Sequence, residues 1–289
     1  MSKIRIAGAQ ISSVLGDVEA NIHKHLEWIE QAKQERADVL VFPELSLTGY
    51  SIGTHGFSLA RKRSAAEIQT IANASVGLTT IFGFMEEGPS AQFYNSAIAV
   101  RDGQVVHLHR KLNLPSYGQL EEGKYFASGR FVETQSLDED WSFATLICAD
   151  AWNPALVHLA AMHGATLMVF PISSSTTAVD GDFSNPEGWL RASGFYAMMY
   201  GCPVITVNRV GDELGSQFYG GSTIYDSNGA LVASADDTEA LLCAEVDYQN
   251  VRQNRYQLPT VRDSNLALIS REMDRLVNIL GVPEQFRDS

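Results

Sequence analysis

Three side chains of different chemistry each stand just past a short apolar run. Glu44 follows Val39-Leu40-Val41-Phe42, Lys111 follows the stretch from Val105 to Arg110, and Cys148 follows Phe143-Ala144-Thr145-Leu146-Ile147. A free thiol ionises with a pKa of about 8.5, so it is a weak nucleophile at neutral pH. It attacks when a base or a positive neighbour helps it. A glutamate can take the thiol proton and later return it to a departing amine. A charged lysine has no lone pair for that proton. Its use is to hold negative charge growing on an oxygen, a role worth about 3–4 kcal/mol per donor in other enzymes. The trio suits attack on a carbonyl-type carbon, with Cys148 as nucleophile and Glu44 as base and then acid. Lys111 and the Ala149 backbone N–H would hold the oxyanion. Singly, each has a plainer reading: a solvated strand end, a surface charge, a small buried hydrophobe.

The apolar pattern says what must carry these side chains. Ile4 to Ala7 alternates as a strand, and the spacing of Ile22, Leu26 and Ile29 predicts a helix from Asp17 to Arg36. A second helix is expected from Arg61 to Ser75. Strands are expected at Val39–Phe42, Thr79–Met85, Phe93–Val100 and Val105–Arg110, the last two joined by an Asp102-Gly103 turn. The central strand before Cys148 leads to a helix from Ala155 to His163, with Asn153 as cap and Pro154 at its first position. That places the thiol near the positive end of a helix dipole, where backbone N–H groups stabilise a thiolate. A buried strand (Leu167–Phe170), a polar loop (Ser173–Gly188) and a helix (Trp189–Tyr200) come next. Strands at Val204–Val207, Gly221–Tyr225 and Leu241–Val246 follow, with a turn at Ser227-Asn228-Gly229, and an amphipathic helix from Leu266 to Leu280 closes the chain. Strands and helices interleave, yet hairpins intrude. This is an α/β or layered α+β class with mixed sheets covered by helices. No linker or repeat interrupts residues 1–289, which read as a single domain with a helical tail from about residue 264.

Composition narrows the function classes. A net charge of −13 argues against broad contact with nucleic acid or anionic membranes. No apolar run approaches the roughly 20 residues that span a bilayer. The opening MSKIRIAGAQ reads as a first strand rather than a secretion signal. Cys148, Cys202 and Cys243 are odd in number and widely spaced, which suggests neither disulfides nor a zinc knuckle and points to a reducing cytoplasm.

The words around the three reactive residues are FPELSLTGY, RKLNLP and LICADAW. Here the chain resembles the nitrilase superfamily, the carbon–nitrogen hydrolases with a Glu-Lys-Cys triad. The resemblance covers nearly the whole chain, including the first strand ending in Ala9-Gln10, the segment YGQLEEGKYFASG and Gly220-Gly221-Ser222. It implies a four-layer α-β-β-α sandwich, usually paired into dimers or larger assemblies, and catalysis without metal or organic cofactor. Carried over by position, Glu44 is the base, Lys111 the lysine and Cys148 the nucleophile. Glu122 rather than Glu121 falls on the family's second glutamate, although adjacent acids leave a one-residue ambiguity. The implied activity is hydrolysis of a small amide or carbamoyl amine through a thioester. Nitrile hydrolysis, acyl transfer and a catalytically silent binding protein are the alternatives.

Other residues carry weaker expectations. Tyr117, Trp152, Phe170 and Ser173 are candidates to line the substrate pocket. His107 and His109 share a strand face with metal-like spacing, but no third ligand is near and surface histidines fit better. His158 and His163 do not share a helix face. The loop from Ser173 carries only negative charges, Asp180, Asp182 and Glu187, and could form an acidic mouth. The family often has Glu-Asn after Arg-Ala in the next helix, whereas Arg191-Ala192 is followed here by Ser193-Gly194-Phe195.

Overall fold

Alternation of apolar side chains makes strands whose two faces must both be covered, and the described residues meet that need with two six-stranded sheets flanked by four helices. The computed structural model describes residues 2–118, 120–179 and 182–280, with the backbone alone at 54 and 55. Strand β1 (Lys3–Gln10) leads to helix α1 (Val18–Gln34), capped by the Asp17 carboxylate on the Ala20 N–H. Then come β2 (Val39–Val41), α2 (Ala66–Ala74), β3 (Thr79–Glu87), β4 (Phe93–Arg101) and β5 (Gln104–Arg110). Helix α2 begins five residues later than its pattern predicts, because Arg61 bridges to Glu86 beside β3. Short β6 (Gln135–Ser136) and β7 (Ser142–Thr145) precede α3 (Pro154–Met162), where Asn153 caps and Pro154 opens the helix as expected.

Next are β8 (Leu167–Pro171) and α4 (Asn185–Tyr200). Ser184 caps α4 by accepting the Glu187 N–H, so the helix starts four residues before the predicted Trp189 and the polar loop is shorter. The remainder is β9 (Val204–Val207), β10 (Val210–Glu213), β11 (Ser216–Tyr219), β12 (Thr223–Tyr225), β13 (Leu231–Ser234), β14 (Ala240–Asp247), α5 (Tyr248–Gln257) and α6 (Leu266–Leu280). The β10–β11 hairpin, β13 and α5 have no counterpart in the sequence reading. Helix α5 buries one apolar side chain, Val251, so it shows almost no periodic signal.

One sheet runs β14-β1-β2-β3-β4-β5 and the other β13-β12-β9-β8-β7-β6. Between them Ile6, Val39, Val41 and Ile81 meet Phe143, Val169, Ile205 and Val207. On the outer face of the first sheet Leu40, Phe42 and Phe82 pack under Ile29 of α1 and Ile68 of α2. On the outer face of the second, Ala144, Met168 and Phe170 pack under Val157 of α3 and Trp189 of α4. The layers are therefore α-β-β-α. The period of two along each strand sends alternate residues to the inner and outer cores.

Candidate active site

Glu44 is held by a backbone turn that sequence pattern alone does not show. After β2 the chain turns at Pro43 and Glu44, and Leu45 adopts φ +49°. The turn crosses β3 where Gly83 stands, and a Cβ there would sit 2.2 Å from the Leu45 nitrogen. No side chain fits that crossing, so glycine is required. Two contacts tie the turn to the other sheet: the Glu44 N–H donates to the Ile172 carbonyl, and Ser173 Oγ donates to the Glu44 carbonyl at 2.9 Å.

Lys111 follows β5, and its backbone is fixed by a bond from its N–H to the Asn95 carbonyl and by the Gly129 N–H on its own carbonyl. Its side chain is wholly buried and meets two carboxylates: Nζ lies 2.6 Å from Glu44 Oε1 and 2.6 Å from Glu122 Oε1. Asn95 Nδ2 joins the same two acids, at 2.8 Å to Glu44 Oε1 and 3.3 Å to Glu122 Oε2. Tyr50 donates its hydroxyl to Glu122 Oε1 at 2.7 Å. Among the described residues the buried Glu44 Oε2 has no hydrogen-bond partner, whereas Oε1 is held by Lys111 and Asn95.

The electrostatics follow from burial. Desolvation pushes the Glu44 carboxyl above its ordinary value and Glu122 adds to this, while Lys111 opposes it. For Lys111 burial alone lowers the pKa, but Glu122 and Glu44 outweigh it and hold the ammonium charged well above its usual range. Cys148 occupies a short 3₁₀ turn, Cys148–Asp150, with φ +44°, a conformation that costs a β-carbon-bearing residue energy. Burial, then the Glu44 charge, pushes its thiol well above the ordinary cysteine value. Helix α3 starts at Pro154 as expected, while the charges acting on the sulfur are two carboxylates, Glu44 and Glu122, against the Lys111 ammonium.

The other predicted residues divide. Glu122, not Glu121, reaches the lysine, while Glu121 pairs at the surface with Lys124. Ser173 lies at the site and, through its backbone, on the Cys148 sulfur. Tyr117 is half exposed, and its hydroxyl responds to burial first and then to Cys148 and Lys111, which puts it near the thiol. Ala149 is buried in the Cys148 turn. Trp152 packs on Trp189 and Phe183, at ring separations of 4.7 and 5.7 Å. Phe170 is a correction: it points to the outer face of β8, fully buried against Tyr196, and is core rather than pocket wall.

The strand histidines are not at the surface. His107 faces Phe143 and is pushed down to about 4, chiefly by burial, and His109 is buried against Asp150 at 2.9 Å. Among the described residues no group of three His, Cys, Asp or Glu side chains converges as a metal set. Of the acidic loop, Asp180 lies outside the described residues, Asp182 is exposed, and Glu187 pairs with Arg191 on solvent-facing α4. Sequence reasoning missed Asn95 and Tyr50. A polar residue at an inward position of the apolar strand β4 was the available sign for Asn95, and Tyr50 closes the FPELSLTGY motif. A groove of about 1070 Å³ runs along the edge of β5, lined by Arg63, Tyr94, Arg130 and Phe131, but none of Glu44, Glu122 or Cys148 borders it.

One family matches the chain over most of its length, the carbon–nitrogen hydrolases. The chain belongs to that family: the carbon–nitrogen hydrolase family matches residues 5–256, which places it in the nitrilase superfamily. It is 28% identical to the glutamine-dependent NAD(+) synthetase of Thermotoga maritima, over 99% of this chain and 51% of that one. The chain thus spans about half the length of such relatives. It is 26% identical to the N-carbamoylputrescine amidase of Solanum lycopersicum, over 86% of this chain and 87% of the relative. The fold matches a carbon–nitrogen hydrolase from Helicobacter pylori with a TM-score of 0.84, covering 94% and 99% of the two chains at 23% identity. No helix among the described residues is long and apolar enough to cross a membrane.

Proposed function

We propose that the chain hydrolyses the carbon–nitrogen bond of a small amide or carbamoyl amine through a thioester on Cys148. The observation that carries this reading is Glu44 Oε2, unpartnered among the described residues and buried in a cluster whose other oxygen, Oε1, is held by Lys111 and Asn95. A carboxylate raised by burial is a stronger base, and a thiol raised by burial holds its proton more tightly. The proton therefore moves from Sγ to Glu44 as the Sγ–carbon bond forms. The carbonyl oxygen takes the negative charge, facing the Lys111 ammonium and the Ala149 N–H. Glu44 then gives its proton to the nitrogen as the C–N bond breaks and ammonia or amine leaves. Water attacks the thioester, losing a proton to Glu44. The C–S bond breaks, the acid departs, and the proton returns to the sulfur.

The NAD(+) synthetase similarity favours a second substrate within the same class, the side-chain amide of glutamine. A panel of glutamine, N-carbamoylputrescine, a short aliphatic amide and a nitrile, assayed for ammonia, separates the readings. The proposal expects release from at least one of the first three and none in Cys148→Ala. Release from the nitrile alone would replace it with a nitrilase. The resemblance also supports a homodimer. Helix α6 exposes Leu266, Met273, Leu276, Val277 and Leu280, and the other described residues bury none of its side chains. Light scattering should give twice the 31.6 kDa chain mass.

A further inference from the structure

Resting on the Cys148 reading, the geometry points to Asp150 and His109 as positioning residues that lock the nucleophile's turn to the strand end bearing Lys111. The two reactive groups come from different sheets. Lys111 follows β5 of the first and Cys148 follows β7 of the second. Nothing in either strand's own ladder sets the distance between them, yet oxyanion stabilisation needs the ammonium and the sulfur in fixed register. Asp150 supplies the missing link. Its Oδ1 accepts the N–H of Leu112 at 2.9 Å and of Asn113 at 2.7 Å, the two residues directly after Lys111. Its Oδ2 accepts the Ile147 N–H at 3.1 Å, directly before Cys148, and His109 Nε2 at 2.9 Å, two residues before Lys111.

One carboxylate with no exposure thus ties both flanks of the lysine to the turn of the thiol. A fifth bond, from Asn113 Nδ2 to the Ala149 carbonyl at 3.3 Å, closes the same seam. Asp150 also holds its own turn, donating its N–H to the Ile147 carbonyl while accepting from the Ile147 N–H. The turn so clasped is the one that keeps Cys148 at φ +44°. Four donors fill both Asp150 oxygens, so the residue has no free acceptor with which to act as a second base. Its role is mechanical: it presents the sulfur to Glu44 and Lys111. His109 completes it, since without that ring one acceptor position of a buried carboxylate would be empty.

The test uses iodoacetamide, which alkylates the thiol and needs no identified substrate. The rate at Cys148 is followed by mass spectrometry from pH 5 to 9, with thermal melts in parallel. In the wild type Glu44 assists proton removal, so alkylation should persist at pH 6, well below the range of the isolated thiol. In Asp150→Asn one acceptor becomes a donor facing N–H groups. The pH 6 rate should fall by about tenfold or more while the pH 9 rate changes by less than about threefold, in a protein that still melts cooperatively. His109→Leu should lose about threefold at pH 6, and His109→Gln, which keeps a donor for Asp150, should recover most of that loss. A merely structural role would lower the melting temperature and leave the pH profile of the folded protein unchanged. Superimposable profiles for wild type and a folded Asp150→Asn overturn the proposal. If that variant does not fold, equal rates in wild type and His109→Leu overturn it. A wild type with no reactivity at pH 6 removes the Glu44–Cys148 reading itself and the positioning role with it.

Discussion

Glu121 and Glu122 are neighbours in the chain, and each binds a lysine, yet the two pairs share little beyond chemistry. Glu121 and Lys124 meet at the surface with both side chains more than half exposed. Glu122 and Lys111 meet where exposure is 5% and 0%. In water a pair of long side chains gains little from its charges, and salt screens what remains. In the interior the same charges fix one another, shift the ionisation of their neighbours and cannot be removed singly without cost. One residue of register therefore separates an ordinary surface contact from the centre of the candidate site. The difference is made by convergence of distant elements on Lys111, not by the identity of the acid.

Removing the shared cation should break the buried side of this comparison most severely. In Lys111→Ala two carboxylates face each other without a counter-charge, and the loss should be about 3–5 kcal/mol at neutral pH, read by denaturant unfolding. The sign of its pH dependence follows from the same geometry. Without the Lys111 charge that opposes it, the folded-state pKa of Glu44 lies further above its unfolded value. The deficit is then smallest at low pH, where both states are protonated, and grows as pH rises through the raised Glu44 value. A deficit that stays flat between pH 5 and 8 would mean the acids are not facing each other.

Glu122→Gln should be milder for folding and harsh for activity. Lys111 loses one of two anchors, and misplacement of this kind costs about a hundredfold in turnover. Because the Glu122 charge helps raise Glu44, its removal should also move the acid limb of the kcat/KM profile to lower pH. Movement to higher pH would contradict the assigned neighbourhood. On the surface side, Glu121→Gln should change neither turnover nor melting temperature measurably. If Glu121 proves the sensitive residue, the comparison is inverted.

Much of this is legible in the sequence. Apolar runs marked most of the strands, and the three motifs marked Glu44, Lys111 and Cys148 as residues past strand ends. What local pattern does not encode is which strand ends meet. That Cys148 arrives from the second sheet, and is joined to the first through Asp150 and Ser173, depends on contacts between residues dozens of positions apart. Asn95 and Tyr50 were hidden for the same reason. Phe170 was misread because a strand end near the site has two faces, and its face is the one under α4. Helix α4 starts before Trp189 because Ser184 caps it and Pro186 stands in its first turn, residues whose polar and breaker character also suits a loop.

The central claim is a covalent thioester on Cys148, and mass spectrometry of the protein trapped with a slowly turned-over amide tests it most directly. The account predicts a single acyl mass increment on the peptide containing Cys148. That increment should be absent in Cys148→Ala, and Cys202→Ala and Cys243→Ala should keep both adduct and activity. An adduct on another residue, or undiminished turnover in Cys148→Ala, would contradict it.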